Sequence, residues 1–531
     1  MRTLLTSSVS AIVLALSCTA LSEAQTRVSR ADADAAIAAM GLDRSEADEI
    51  SFEGARFSRG DYVFTNVVFH MPDDADVSGK AGEGDFNVDF DGEELHVAEM
   101  RFASPRIGSD GRVLFDAFVL SGMSAEGDDG ESFTIENIEI MAPSAEFSAM
   151  IADGFANLGE GDDEDVELGD DPFDRVAVTG LLVRDTSDDD TTVSMASMVL
   201  EHDDAAGLAR FSMNDLLIDA NDDGSPVRIS LGEIRLEGLS TETTDEWFTA
   251  IEADDMPGFM QSYMHAATVN PASIFSQFVL RDFSFAGEGL DLSLAAITAN
   301  NVERGDEVHS SANIDRLHFS ADPSHANGAQ IAGGLMMLGY SELNLNAVAN
   351  TVYEPENGRT YTRGDNYYEV EDAFRIDFSQ DIEGYDEYSR QLAAIAAEAA
   401  ETGNEMSEEA TMQALAALQV NEFSVRITDQ SILDRAFGAM ASQQGIAPEQ
   451  ARAQASALVL LGAASAGPIV PAPLMTELTS AVSGFLNNGG SVTVEMRPTS
   501  PTSIGDMMML VEQEQPDIDR LGISVSAEPA R

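Results

Sequence analysis

The stretch FVLRDFSFAG, Phe278–Gly287, has apolar residues at its first, third, sixth and eighth positions and an aspartate at its fifth. Alternation of apolar and polar residues is typical of a β-strand with one buried face. The two apolar pairs are out of phase by one residue, so a straight strand would present them on opposite faces. A bulge or a sharp bend at the aspartate would return both pairs to one face. The stretch therefore predicts a strand that bends around a single core.

Four further stretches repeat this pattern, each with Asp, Asn or Glu at position five: FTIENIEI (133–140), FSMNDLLI (211–218), ISLGEIRL (229–236) and LQVNEFSV (418–425). Their spacing is irregular, which excludes a solenoid with a fixed repeat. Up to about residue 385 the dominant period is two, and beyond it helical spacing appears. The sequence therefore predicts an α+β, mostly β fold. We expect a long, curved, antiparallel meandering sheet with irregular hairpin repeats, followed by a C-terminal module of helices and strands.

Changes of composition and period divide the 531-residue chain into predicted segments. An acidic run that ends in Asp-Pro indicates a linker or a long loop. A short amphipathic helix, Arg30–Asp48, precedes the strands, with Ala36, Ile37, Met40 and Leu42 on its apolar side. The segments are a signal peptide (1–24), an N-terminal β region (25–160), the acidic linker or loop (161–175), a β-rich region (176–385) with a helical insertion at about 242–268, and an α+β C-terminal module (386–531).

Capping and helix-breaking residues set the predicted elements of the C-terminal module. Asp429 is a candidate N-cap and Gly445 a candidate stop for one helix, and Pro448 starts the next. The uncharged stretch Ala453–Met475 contains three prolines, so we expect a helix end and a loop there and no membrane span. The predicted elements are helices within 385–418, from 432 to 445, from 448 onward, around 474–485 and at 504–511, with strands at 420–427, 491–496 and 522–527.

Residues 1–24 have the features of a secretory signal peptide: an early positive charge, the apolar run Ala11–Leu16, and the small-x-small end Ser22–Ala24. We therefore expect export to the periplasm. The single cysteine, Cys18, lies within this segment, so the mature chain would contain no disulfide. A lipoprotein acylated at Cys18 and an extracellular location are the alternatives, although the residue three before Cys18 is alanine and not the usual leucine.

The charge of the chain limits its partners. Asp and Glu total 94 against 28 Lys and Arg, which gives a formal net charge of −66. Nucleic acid and anionic membrane surfaces would repel such a chain, so we expect neither as a partner. A lipid molecule, an envelope protein or a divalent cation remains compatible with this charge.

No catalytic motif is present in the sequence. G-x-S-x-G, H-E-x-x-H and the glycine-rich phosphate loops are all missing, and the mature chain would have no cysteine nucleophile. His318, Asp322 and His325 are close together along the chain, but their spacing matches no metal-ligand pattern. We therefore expect a protein that is not an enzyme and holds no cofactor, with calcium as the one exception considered next.

The acidic stretch DANDDG places Asp219, Asn221 and Asp223 before Gly224, as in the first half of a calcium loop. An EF-hand would need Glu at its twelfth position, where this chain has Ser230. The flanking residues alternate as strands, and a hairpin turn explains the same composition without an ion. Asp219, Asn221 and Asp223 are thus a weak candidate for calcium only.

Four stretches carry a family resemblance: LGYSELNLNAVANTVYEPENGR (338–359), VNEFSVRITDQSILDRAFGAMASQQGIAPEQARAQ (420–454), GFLNNGGSVTVEMRPTSP (484–501) and LGISVSA (521–527). Over about Leu338–Ala527 the chain resembles uncharacterised exported proteins of Gram-negative bacteria, with Tyr353 where that pattern has Trp. The resemblance supplies no catalytic residue. The strand pattern is also similar to that of AsmA-like envelope proteins, whose long curved sheets are associated with lipid handling.

Three functions follow as hypotheses. The first is a non-enzymatic periplasmic or cell-envelope protein, acting as a scaffold or a lipid-handling module through the apolar face of its curved sheet. The second is a cation-dependent structural or adhesion protein, and the third is a hydrolase without a recognisable motif. An open apolar surface would favour the first, converging loop oxygens the second, and a pocket with a perturbed carboxylate pair the third. The same alternation can build an open groove or a filled core.

Overall fold

The computed structural model describes residues 28–45, 49–70, 76–81, 84–89, 94–126, 132–158, 173–185, 191–203, 207–222, 225–240, 270–402, 406–466, 471–511 and 517–530. The predicted signal peptide, most of the acidic linker and the predicted insertion lie outside the described residues. The chain divides into two compact units. The first unit is Met1–Asp245 with Phe285–Gly287, and the second is Glu246–Ser284 with Glu288–Arg531.

The described residues form nine α-helices, several of them in the C-terminal region: α1 (Arg30–Ala39), α2 (Ala145–Ala156), α3 (Ala326–Met337), α4 (Tyr385–Thr402), α5 (Glu408–Leu415), α6 (Ile432–Gln444), α7 (Pro448–Ala466), α8 (Ala472–Asn488) and α9 (Ile504–Val511). Among all the described residues, no helix is long and apolar enough to span a membrane.

The strands before residue 245 are β1 (Ile50–Ser58), β2 (Asp61–His70), β3 (Asp76–Ala81), β4 (Gly84–Asp89), β5 (Glu94–Ala103), β6 (Arg106–Ile107), β7 (Val113–Leu114), β8 (Ala117–Glu126), β9 (Ser132–Met141), β10 (Arg175–Asp185), β11 (Thr191–Asp203), β12 (Leu208–Asp222) and β13 (Ser225–Ser240). The later strands are β14 (Gln277–Gly287), β15 (Leu290–Arg304), β16 (Glu307–Ala321), β17 (Glu342–Glu354), β18 (Arg359–Thr362), β19 (Tyr367–Val370), β20 (Phe374–Glu383), β21 (Gln419–Asp429), β22 (Ser491–Met496), β23 (Thr502–Ser503) and β24 (Ile523–Glu528).

The predicted fold class is confirmed, because the protein is mostly β with a long antiparallel meandering sheet and a helix-rich C-terminal region. In the first unit the strands pair in the order β1-β2-β5-β8-β9-β10-β11-β12-β13. In the second unit, β15-β16-β17 continue through β18 and β19 to β20, β21, β22 and β24. The strands of the C-terminal module thus extend the sheet of the second unit.

On every second strand from β2 to β12, a single residue in the left-handed conformation reverses the face of the sheet to which the following side chains point. Asn66, Gly122, Gly180 and Asp215, in β2, β8, β10 and β12, have φ of 50°, 63°, 66° and 51°. Each stands at the fifth position of the strand pattern. The pairing partners on both sides keep one register, since Met123 and Ser121 of β8 pair with Ile135 and Asn137 of β9. Side chains at positions one, three, six and eight therefore share one face.

The expected bulge at position five is only partly what the structure shows. Asp215 and Asp282 are left-handed, with φ of 51° each, but the β12–β13 register does not shift at Asp215. The one-residue shift predicted from the pattern occurs instead beside position five of β21, where Asn421 is skipped between the pairs Asp381–Glu422 and Ile382–Val420. A left-handed residue needs no insertion to turn a strand over, because φ alone reverses the following side chains.

The pattern occurs on more strands than the five copies found by inspection. Positions one, three, six and eight of β2 are Tyr62, Phe64, Val67 and Phe69, and all four belong to one hydrophobic cluster. Apart from Ala125 and Val193, the corresponding residues of β5, β8, β9, β10 and β11 join the same cluster. β8 and β10 have glycine at position five and so differ from the pattern, whereas β2, with Asn66, fits the pattern but was not identified from the sequence.

Two helices cover this cluster and make it a filled core. Ala36, Ile37, Met40 and Leu42 are buried in the cluster, as the sequence predicted, although α1 ends at Ala39 and not at Asp48, so Met40 and Leu42 lie just beyond it. Phe147 and Ala152 of α2 are buried in it as well. Within the first unit, the part of the apolar sheet face that holds this cluster is therefore covered by helices and is not an open groove.

The C-terminal helices begin and end where their signals predicted. The N-cap position of α6 is Ser431 and not the predicted Asp429, and the Ser431 side chain makes no capping hydrogen bond. The Asp429 carboxylate, two residues earlier, accepts a hydrogen bond from the backbone N–H of Leu433 at 3.1 Å, and Gly445 ends α6 with φ of 64°. Helix α7 starts at Pro448, and α8 ends before Gly489. Local capping chemistry sets these boundaries, so a single sequence was sufficient to find them.

Candidate functional site

The sheet of the second unit has one apolar face over β19–β22. Directly opposed residues of neighbouring strands lie on the same face. Phe378 of β20 is opposite Val425 of β21, which is opposite Val494 of β22. Tyr368 of β19 is opposite Ile376, two residues before Phe378, and Phe423 is two residues before Val425. We call the surface made by Tyr368, Phe378, Phe423, Val425 and Val494 the apolar face.

The apolar face is partly open to solvent. Tyr368 is 49% exposed, and Phe423 and Val494 are each 37% exposed. The Tyr368 ring stacks on Phe378 with centroids 5.4 Å apart and an interplanar angle of 15°. Aromatic and β-branched side chains exposed together in the interior strands of a sheet are unusual, and such patches mark binding surfaces. Many of the corresponding residues of the first unit, by contrast, are buried in its core.

Methionine-rich helices border one end of the apolar face. Met507 of α9 packs in a small cluster with Met496 of β22, and Met496 lies opposite Phe423. On the outer side of α9, Met508 and Met509 are exposed. Methionine side chains are flexible and polarizable, so a surface rich in them adapts to ligands of different shape.

The opposite face of the same strands is polar and held by ion pairs. Arg375 pairs with Asp377 at 2.8 Å and lies over the Tyr367 ring at 3.7 Å. Arg359 donates two hydrogen bonds to Asp381, at 2.8 Å from Nε and 2.7 Å from Nη2. The hydrogen bonds from Arg359 hold the pKa of Asp381 below its usual value. The sheet is thus amphipathic, and only its apolar face suits an apolar ligand.

The Arg359–Asp381 pair predicts a pH-dependent stability. The lowered pKa of Asp381 means that its contribution is fully present above the unfolded value of about 3.9 and is lost as the pH falls through the lower folded value. We expect Asp381→Asn to reduce the free energy of unfolding by about 1–2 kcal/mol at neutral pH and to have little effect at about pH 2. Urea unfolding at both pH values measures this.

Glu356→Gln is the matched control for that prediction, because Glu356 is an exposed residue of a turn near the pair. It should change the unfolding free energy little at either pH. An equal penalty for Asp381→Asn at neutral and acidic pH would show that the pair stabilises the fold by packing and not by charge.

The apolar residues of the strand pattern in β14 are neither fully buried nor fully exposed. Phe278, Leu280 and Phe283 are half-buried, and Val279, on the other side of the strand, is only 1% exposed. The sequence had not singled out Tyr368, Phe378 or Val494. Their signal was present in the alternation of FRIDFSQ and SVTVEM, but alternation does not distinguish an exposed face from a covered one.

One serine in the described residues has the partners of a nucleophile. Ser51 Oγ is 3.3 Å from His70 Nε2, and His70 Nδ1 is 3.4 Å from Glu94. Glu94 is shared with His96 Nε2, also at 3.4 Å. The His70, Glu94 and His96 side chains are all well exposed, whereas acyl transfer needs a site that excludes water. The hydrolase hypothesis therefore stays a prediction.

The three residues noticed around His318 do not form one site. His318 Nδ1 lies 3.1 Å from the Asn344 side chain, whereas His325 Nδ1 is 3.4 Å from Asp322. Ser324 Oγ contacts that same nitrogen of His325 at 3.4 Å, so these residues are not arranged as a catalytic triad, which needs both ring nitrogens. Among the described residues no group of three or more His, Cys, Asp or Glu side chains is placed to hold a metal ion.

The calcium candidate lies on a hairpin. β12 and β13 pair up to Asp222–Ser225, as the hairpin-turn alternative predicts. Asp219 is 3.3 Å from Arg228 of the opposite strand, and this guanidinium competes with any cation for the carboxylate. Asn221 is exposed, and Asp223 lies outside the described residues. Calcium binding by this loop stays a prediction.

The residues of the apolar face lie within the part of the chain that matches the model of a protein family. A protein family described as "Uncharacterized protein" has a model that matches residues 367–528. That range begins at β19 and ends with β24, so it contains the apolar face and helices α4–α9. It also falls within the region in which the sequence resembled an uncharacterised family. A search of curated proteins found no match.

Proposed function

We propose that the protein is an exported, non-enzymatic protein of the Gram-negative cell envelope that handles lipid through the apolar face. The observation that carries this proposal is the contrast between two sheets with similar strand chemistry. In the first unit, helices α1 and α2 pack on the apolar side chains, and Phe64, Met100 and Phe102 among them are fully buried. In the second unit, Tyr368, Phe423 and Val494 remain 37–49% exposed.

The composition of the apolar face favours an acyl chain as its ligand. Its five side chains carry a single polar group, the Tyr368 hydroxyl, so most of a ligand there would be held by apolar contact. The net charge of −66 opposes attachment to an anionic bilayer surface. A protein of this charge would therefore bind single lipid molecules and not lie on the membrane.

Replacing two valines of the apolar face tests this proposal. Val425→Thr with Val494→Thr keeps the β-branching and nearly the same shape of both residues, and it replaces one methyl group of each by a hydroxyl. We expect several-fold less lipid to copurify with the mature variant than with the native protein from its own periplasm. Native mass spectrometry and extraction of bound lipid measure the occupancy.

The control is Thr493→Val, on the same strand as Val494 and on the opposite, polar face. Thr493→Val replaces a hydroxyl by a methyl group, which is the reverse of the change at Val494. It should leave the lipid occupancy unchanged. A native protein that carries no lipid, or equal occupancy in the double variant, would contradict the proposal. Repeating the measurement with a chelator tests the cation-dependent alternative in the same samples.

A further inference from the structure

The second unit contains a groove along the last strand of its sheet, with a volume of about 450 Å³. It lies between α8 and β24, and we call it the edge groove. Its strand side is formed by consecutive residues, Val525 to Pro529. Side chains of consecutive strand residues alternate between faces, so a cavity that touches all of them runs along the edge of the strand.

The outer edge of β24 is open to pairing. β24 pairs with β22 on one side, and no other described strand pairs with it. A strand with one neighbour leaves about half of its backbone N–H and C=O groups without a ladder partner. Such an edge is a template on which an extended peptide adds as a further strand.

Helix α8 forms the other wall and leaves room for a chain. Thr476, Ser480, Gly484 and Asn488 follow one another at intervals of four, so they line one side of the helix. From the first to the last they cover about 18 Å, and an extended segment of about five or six residues has the same length. An added Cβ at Gly484 would meet no atom within 4 Å, which shows how open this wall is.

The charge of the groove selects its occupant. Glu477 and Glu528 are among its lining residues. Glu528 already pairs with Arg426 at 2.8 Å, so Glu477 and the net charge of −66 determine which charge the groove favours. A second copy of the chain would bring like charges together, which is unfavourable. A segment with Lys or Arg would complement Glu477 and the negative chain.

We propose that the edge groove binds an extended, basic segment of a partner protein by adding it as a strand to β24. Backbone hydrogen bonds to the open edge would hold the segment, and its alternate side chains would enter the groove beside α8 or meet Glu477. This proposal goes beyond the lipid proposal, and its test uses different variants and a different measurement, so either one can fail without the other.

The test uses fluorescence anisotropy with the full mature chain at physiological salt. The probe is a labelled hexapeptide that alternates valine and arginine, with both ends blocked. We expect it to bind at least about tenfold more tightly than the same peptide with glutamate in place of arginine, because carboxylates would face carboxylates. A version with alternate backbone nitrogens methylated should also lose about tenfold, since it cannot donate to the strand edge.

Two matched glycine variants locate the binding site. Gly484→Leu places a side chain into the groove, and Gly438→Leu makes the same change on α6, where an added Cβ also meets no atom within 4 Å. We expect Gly484→Leu to weaken the valine–arginine peptide at least about tenfold and Gly438→Leu to leave it unchanged. Thermal unfolding of both variants confirms that the fold is retained.

Four outcomes would overturn the proposal. In the first, the valine–arginine peptide does not bind at all, and in the second it binds the Gly484→Leu variant as tightly as the native protein. Equal binding of the methylated peptide would show attraction by charge alone. A native dimer that becomes monomeric in Gly484→Leu would identify a second copy of the chain as the occupant.

Discussion

Phe102→Ala is expected to lower the free energy of unfolding of the first unit by about 3–5 kcal/mol. The Phe102 side chain is fully buried and contacts Phe155 of the covering helix α2. Its ring contacts those of Phe64, Phe115, Phe118 and Phe155, with centroids 4.9–6.3 Å apart. Removing the ring leaves a cavity that four large neighbours cannot fill without moving, and aromatic pairing is lost as well.

Phe57→Ala provides the comparison on the same sheet. Phe57 is half-buried, and its ring contact is with Tyr62 at 6.2 Å. We expect Phe57→Ala to lower the free energy of unfolding by less than about half as much as Phe102→Ala, because a half-buried ring loses less apolar burial when it is removed. Urea unfolding followed by far-ultraviolet circular dichroism gives both values. Similar shifts for the two variants would show that the first unit lacks the close-packed core seen around Phe102.

Local chemistry explains which parts of the fold were predictable. The start of α7 at Pro448 and the end of α6 at Gly445 depend on residues within one helical turn, so the sequence was sufficient. The strand pattern was also readable, because apolar residues must share a face wherever that face is buried. The left-handed residue at position five was not identified, since the pattern suggested an acidic side chain when the requirement is for a backbone that tolerates positive φ.

The same reasoning explains why Asp and Asn stand at this position. Apart from glycine, they are the residues that most readily adopt a left-handed conformation, and Asn66, Asp215 and Asp282 do so. Asn137 and Glu233 also occupy position five, but they are not among the residues with positive φ. On these two strands the residue before position five lies opposite the left-handed residue of the neighbouring strand. One left-handed residue therefore accounts for the change of face on both strands of the pair.

The candidate site was less predictable than the fold. Phe423 and Val425 were recognised as apolar strand positions, yet their exposure depends on where helices from distant parts of the chain pack. The alternation in β9, whose Ile135 is buried in the first core, is the same as that in β21. Whether a helix covers a sheet face is a property of tertiary packing, and periodicity does not contain it.

Gly180→Ala is expected to lower the free energy of unfolding by about 2–4 kcal/mol. Gly180 has φ of 66°, and an added Cβ would lie 2.2 Å from Glu136 Cγ and 2.7 Å from Glu136 Cβ. The left-handed conformation costs an alanine about 1–2 kcal/mol, and the overlap with β9 adds to it. Urea unfolding of the single variants and of the double variant with Glu136→Ala separates the two causes.

The double variant removes Glu136 Cγ and keeps its Cβ, so it should recover part of the loss and leave the conformational strain. Gly154→Ala is the control, since Gly154 lies in α2 and an added Cβ meets no atom within 4 Å. That change should stabilise the helix by about 0.5–1 kcal/mol. If Gly180→Ala were as harmless as Gly154→Ala, β10 would not need its left-handed residue. Its positions six and eight would then reach the core by another route, and the shared strand pattern would have lost its physical basis.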